Sequence, residues 1–142
     1  MKTHDSRQAF RLIGLWDLII TLPFCIPFIN AYVIDLFRIL HSYLSPDRSF
    51  PDFSNLHLLF IQLFGFMCVL WGAVRIHKPE LFLAVYDCIG RIIVTLILVS
   101  FALGGGSLVP LVFIVSELGF GIVEIIFIFR YRKNDEHQHT KT

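Results

Sequence analysis

Four apolar runs, each about as long as a bilayer is thick, constrain this chain more than any other feature. They cover approximately residues 12–29, 56–76, 81–103 and 109–129. A helix needs about 20 mostly apolar residues to cross the hydrocarbon. Backbone groups in lipid must be satisfied internally, which leaves helices or closed barrels. The alternation of a barrel strand is absent, so helices are expected. Composition agrees: of 142 residues, 56% are apolar and 16% charged, with a mean hydropathy of +0.71. A soluble domain carries about 25% charged residues. The same bias excludes a disordered chain and a disulfide scaffold. The net charge of +1 offers no basic surface, so no nucleic-acid partner is expected.

The expected fold is all-α: an integral membrane four-helix bundle with an interfacial amphipathic helix between helices 1 and 2. Residues 1–11 read as a cytoplasmic N-terminal arm, 12–129 as the transmembrane domain and 130–142 as a cytoplasmic tail. The first run could imitate a secretory signal. Asp17 interrupts its apolar core, however, and no small-residue cleavage site precedes Pro23, Cys25 and Pro27, so a retained helix is expected. Cys25, Cys68 and Cys88 lie in apolar runs without a C-x-x-C partner. They read as packing residues rather than disulfide or zinc ligands.

The links carry further information. Residues 77–80 join the second and third spans, with Pro79 suited to the first turn of the third. Gly104-Gly105-Gly106-Ser107 joins the third and fourth, with Pro110 at the fourth span's start. Such short links predict that spans 2, 3 and 4 are antiparallel neighbours. The longer link from Asn30 to Asn55 opens with Val33, Leu36, Phe37, Leu40 and Leu44 at helical spacing, with Asp35, Arg38 and Ser42 facing away. This is the pattern of an amphipathic helix lying at the interface; a continuation of helix 1 past kinks at Pro23 and Pro27 is the alternative. Residues 45–55 form a polar turn region.

Lys and Arg counts set orientation. Lys2, Arg7, Arg11, Arg75, Lys78, Arg130, Arg132, Lys133 and Lys141 fall on one side, and only Arg38 and Arg48 on the other. Both termini are expected in the cytoplasm, with the Asn30–Asn55 link outside.

Ionisable residues inside the spans are the strongest functional pointer, because each charge at depth costs about 2.5–3.5 kcal/mol even on the lenient insertion scale. The intramembrane polar cluster is Asp17, Asp87, Arg91, Glu117 and Glu124, with Gln62 and Arg75 secondary. At about 1.5 Å per residue, Asp17, Asp87 and Glu124 share a level some 9–10 Å from the cytoplasmic helix ends. Arg91 and Glu117 lie near the midplane, and Arg75 is placed at the rim. Asp87 and Arg91 are spaced to pair at i,i+4, and Arg75–Glu124 is a second expected pair. Gly14 and Thr21 flank Asp17, Gly65 and Gly72 share a face with Gln62, and Gly90 and Gly121 lie beside the charges on their helices. Small residues let membrane helices approach closely. The acids outnumber the bases. The surplus can be met by protons, a cation or a basic group from a partner.

Other motifs are weak. No metalloprotease, serine-hydrolase, phosphate-loop or dinucleotide motif is present, and no serine, histidine and acid converge at one depth. No catalytic residue and no metal ligand is expected. His57 reads as interfacial, and His41 could join it on the outer side. His137 and His139 read as solvated, and His4 carries no signal. Tyr32, Tyr43 and Tyr131 suit interfacial belts, and Trp16 and Trp71, near the cytoplasmic third of their helices, read as packing and lipid-contact residues.

The four-span layout, with Gly14-Leu15-Trp16-Asp17 in the first span and Ser116-Glu117-Leu118-Gly119-Phe120-Gly121 in the fourth, resembles the small four-helix bacterial inner-membrane proteins of the DoxX-like kind. The long amphipathic link departs from their short-loop pattern. The resemblance implies a bacterial inner-membrane location and a membrane-bound accessory or quinone-linked component. It transfers no site.

The expected function is therefore a non-enzymatic accessory or interaction subunit with a buried polar centre, partnered by the lipid bilayer and by another membrane protein or further copies of itself. The alternative is a small transporter or a proton- or ion-linked component that uses the intramembrane carboxylates. No cofactor is expected; a quinone or lipid is the ligand the polar centre would admit.

Overall fold

The computed structural model describes residues 3–139, with side chains described from 7 to 133. The side chains of His4, His137 and His139, on which the sequence was also read, lie outside the described residues. Five helices follow one another: α1 (Thr3–Cys25), α2 (Ile29–Leu44), α3 (Asn55–His77), α4 (Leu81–Leu103) and α5 (Pro110–His139). Four of them are long and apolar enough to cross a membrane, over 7–25, 55–77, 81–103 and 110–133. At 16 residues, α2 extends only about 24 Å. Among the described residues there is no strand.

Local chemistry sets most boundaries. At the start of α3 the Ser54 hydroxyl accepts the His57 N–H, and His57 Nδ1 accepts the Ser54 N–H at 3.1 Å, a reciprocal cap. Proline at 79 stops α3, and Pro110 opens α5. Gly105 takes a φ of +89° in the α4–α5 link, a backbone state that glycine adopts freely. Phe28 has a φ of 69°, rare for a bulky residue. The chain breaks there, and α2 is a separate helix rather than a continuation of α1.

Two ends differ from the sequence reading. The first helix begins at Thr3, inside the segment read as an arm, and α5 continues to His139, through most of the segment read as a tail. Lys, Arg, Gln and Glu are good helix formers, so a helix propagates past its apolar stretch once nucleated.

The pairing also differs. The principal contacts are α1 with α3 and α4 with α5. Despite their short link, α3 and α4 meet through side chains rather than by close backbone approach. Helices α1 and α3 run antiparallel with their backbones nearly touching: a Cβ added at Gly72 would lie 3.0 Å from the Gly14 carbonyl oxygen, and one added at Gly65 would lie 2.9 Å from the Cys25 nitrogen. Small residues thus set this interface. Gly90 and Gly121 play no such part, since a Cβ at either meets nothing within 4 Å. The two pairs are joined by Trp16 against Phe120 (ring centroids 5.7 Å apart) and Phe10 against Phe127 (6.3 Å).

Helix α2 crosses one end of this assembly. Asn30 Nδ2 donates to the Leu58 carbonyl at 3.2 Å. Phe37 lies between Phe24 (5.8 Å) and Phe113 (5.6 Å). At its far end His41 meets Ser107 at 2.7 Å, and the Leu108 N–H donates to Ser45 Oγ at 3.0 Å. Arg48 reaches back to the Ala102 and Gly106 carbonyls. One outer face bears the exposed Asp35–Arg38 pair (2.8 Å), and another bears exposed Tyr32, Leu36, Ile39 and Tyr43. An apolar outer face beside a polar one is what a helix at a membrane surface requires.

The burial pattern inverts that of a soluble protein. Leu12, Phe64, Met67, Leu96, Ile97 and Val115 are exposed, while Arg75, Asp87, Arg91 and Glu124 are buried.

Candidate functional site

Each of the four long helices contributes at least one charged residue to a single network. Asp17 comes from α1, Arg75 from α3, Asp87 and Arg91 from α4, and Glu117 and Glu124 from α5. The antiparallel pairing brings them to neighbouring levels.

The two guanidiniums are the hubs. Arg75 donates to Asp17 Oδ2 and to Asp87 Oδ2 and lies 3.6 Å from Glu124 Oε1. Arg91 donates to Asp17 Oδ2 at 2.5 Å, to Glu117 Oε2 at 2.8 Å and to Asp87 Oδ2 at 3.1 Å, and its Nε lies 3.4 Å from Glu124 Oε2. The planar fork of arginine presents several donors in fixed directions, which suits bridging in a way a lysine could not reproduce. The Arg91 guanidinium also lies over the Phe120 ring, 5.6 Å from its centroid.

The network is sealed in part and reachable in part. The Glu124 side chain is 1% exposed and that of Arg75 4%, whereas Asp17 and Glu117 are 22% and 23% exposed. Glu124 Oε2 and Arg75 Nε are buried without a hydrogen-bond partner. Four carboxyl groups face two guanidiniums, a surplus of two negative charges when all are ionised. Leaving unpaired charge in a low-dielectric interior is costly.

Several sequence expectations are altered by this geometry. Arg75, placed at the rim, is at the heart of the network. Its long side chain reaches Asp17, Asp87 and Glu124, all inside the apolar runs. Asp87 and Arg91 do bond at i,i+4, yet each also bonds elsewhere, so they are members of a network and not an isolated pair. Arg75 and Glu124 are adjacent, but the hydrogen bonds of Arg75 go to Asp17 and Asp87. Gln62 is about 20 Å along α3 from Arg75 and stands apart from the charges.

Two neighbours were missed. Trp71, read as a packing residue, donates its indole N–H to Asp87 Oδ1 at 2.7 Å. It precedes Arg75 by one turn on the same face, a spacing that could have flagged it. Thr95, one turn after Arg91, is buried with a hydroxyl lacking a partner. His41 and His57 do not pair; Phe50 and Phe53 stand between them. His41 instead contacts the Ser107 hydroxyl through Nδ1 and the Arg48 carbonyl through Nε2, at 2.7 and 2.8 Å. Sequence spacing gave no sign of this contact across 66 residues. The hydroxyl also accepts the Val109 N–H at 3.2 Å, and no carboxylate completes the set. This is a latch between α2 and the α4–α5 link. Among the described residues no cluster of three or more His, Cys, Asp or Glu is placed to hold a metal.

No family model, no curated protein and no solved structure matches this chain.

Proposed function

We propose that this chain is an integral membrane protein of a bacterial inner membrane, with both termini in the cytoplasm, whose working part is the charged centre, and that it acts as a small proton- or cation-linked transport component. The observation that carries this reading is the imbalance of charge at a sealed site. Four carboxyl groups meet two guanidiniums, and the most deeply buried acid, Glu124, keeps an oxygen without a hydrogen bond. A centre built only to fix helix register would be neutral and fully satisfied. Asp17 and Glu117, both partly exposed, give such a centre its connections. Intramembrane carboxylates that face a bundle interior are the usual parts of proton and ion pathways.

The test is reconstitution into liposomes holding a pH-sensitive dye, with an imposed potassium diffusion potential. Vesicles containing the protein should acidify faster than empty vesicles, and Asp17→Asn and Glu117→Gln should slow them. Equal rates with and without protein would refute the reading.

A second reading, an accessory subunit, rests on the outer surface. Gly90 and Gly119 leave notches where a Cβ would meet nothing, and small residues admit a partner helix at close range. Crosslinking from Gly119→Cys in native membranes tests it. A defined adduct with another protein or a second copy supports an interface, and none would dismiss it.

A further inference from the structure

Helix α2 crosses the bundle just inside its rim. It touches Leu58 in the first turn of α3, Phe24 in the last turn of α1 and Phe113 in the first turn of α5, all within the spans. The 45–54 link then doubles back over it. Phe50 of that link packs on His41, with ring centroids 5.2 Å apart, and carries the Arg38 guanidinium 5.7 Å above its ring. The link is therefore the outermost layer at this end, and α2 lies beneath it.

At about 100° per residue, α2 presents four flanks. Asn30, Ile34 and His41 are buried against the bundle, with Phe37 beside them. Roughly a quarter turn away, on the side of the link, are exposed Asp35, Arg38 and Ser42. The flank opposite this polar strip is Val33, Leu40 and Leu44. The flank opposite the bundle is Tyr32, Leu36, Ile39 and Tyr43, exposed at 75%, 60%, 57% and 79%. A helix capping a bundle in water is polar on the flank that faces away from the bundle. Here that flank is apolar, and the polar strip is displaced to one side.

We infer that α2 is seated in the lipid of the leaflet at this end, the outer one in the orientation given above. Phospholipid acyl chains cover Tyr32, Leu36, Ile39 and Tyr43, and headgroups lie beside Asp35, Arg38 and Ser42. The order of the flanks selects this occupant. A patch that receives a protein is rimmed by polar residues. This one is polar on one side only and runs on the other into Val33, Leu40 and Leu44, as a helix in the plane of the bilayer requires. Tyr32 and Tyr43, near the two ends of the helix, suit the level where hydrocarbon meets headgroups. The inference rests on the membrane reading above and not on transport.

The experiment uses the full chain with Cys25, Cys68 and Cys88 replaced by serine, in lipid nanodiscs. Single cysteines replace Leu36, Ile39, Ser42 and Phe64, each carrying a nitroxide. Power saturation then compares collisions with oxygen, which enters lipid, and with a nickel chelate, which stays in water. Phe64, 70% exposed in the middle of α3, reports the membrane itself. Leu36→Cys and Ile39→Cys should favour oxygen, as Phe64→Cys does, and Ser42→Cys should favour nickel. Nickel dominance at 36 and 39 with oxygen dominance at 64 would make α2 a cap in water and overturn the inference alone. Low collision with both reagents at 36 and 39 would mean that protein covers this flank, and would also overturn it. Nickel dominance at 64 would overturn the membrane reading beneath it. If either α2 variant fails to elute as folded protein in size-exclusion chromatography, Tyr32→Cys or Tyr43→Cys on the same flank takes its place.

Discussion

Replacing Arg75 with methionine removes one hub and keeps most of the side-chain volume. Arg75 is 3% exposed and touches carboxylates on three other helices, α1, α4 and α5. Its loss leaves Asp17, Asp87, Glu117 and Glu124 facing Arg91 alone. Removing one member of a buried ion pair costs about 3–5 kcal/mol, because the remaining charge is buried without compensation. A pair at the rim would cost at most about 1 kcal/mol, so the magnitude distinguishes a buried hub from a rim residue. The assay is unfolding in mixed micelles with rising SDS, followed by tryptophan fluorescence. Arg75→Met should shift the equilibrium by more than about a hundredfold. Arg38→Met, which breaks the half-exposed pair with Asp35, should shift it less than about tenfold. Replacing Asp17 and Asp87 with asparagine in the Arg75→Met chain should recover part of the loss, since these residues share partners and their effects are not additive. A loss for Arg75→Met no larger than that for Arg38→Met would refute the buried network.

Other outcomes follow from the same structure. Gly72→Leu should prevent α1 and α3 from closing and abolish recovery of folded protein, whereas Gly119→Ala should leave it unchanged; comparable yields from size-exclusion chromatography would contradict the pairing. Asn30→Ala removes the side-chain hydrogen bond from α2 to the partly buried Leu58 carbonyl and should cost about 0.5–1.5 kcal/mol, read by the same SDS titration; no change would mean that α2 is not seated on α3. In a chain with Cys25, Cys68 and Cys88 replaced by serine, Asp47→Cys should react with an impermeant maleimide from outside intact cells and Lys133→Cys only after lysis. The reverse pattern would invert the topology.

Much of this architecture is legible in the sequence. The limits of α3 and α4 follow from proline, glycine and the end of apolar patterning; the end of α1 at Cys25 does not, since the apolar run continues to residue 29. The helix ends at Thr3 and His139 were not legible, because polar residues with good helix propensity look like solvated arms in a hydropathy reading. The membership of the charged centre could be read from depth alone, since acids at equal depth on adjacent helices must face one another or lipid. Its connectivity could not. Which arginine is a hub depends on which helices pair, and the short link between α3 and α4 suggested neighbours that the Gly14–Gly72 approach displaces. Thr95 is invisible in sequence for the same reason.

The most direct test of the account is to measure proton flux and stability together on Glu124→Gln. Glu124 lies 3.6 and 3.4 Å from Arg75 and Arg91 without a hydrogen bond to either and belongs to an acid surplus, so an isosteric amide should cost clearly less than the loss of Arg75. The account predicts dye acidification reduced to the rate of empty vesicles, with the SDS unfolding midpoint close to that of the unmodified chain. Undiminished flux, or flux and stability lost together, would contradict it: the first would remove Glu124 from the pathway, and the second would make the charged centre a brace for the bundle.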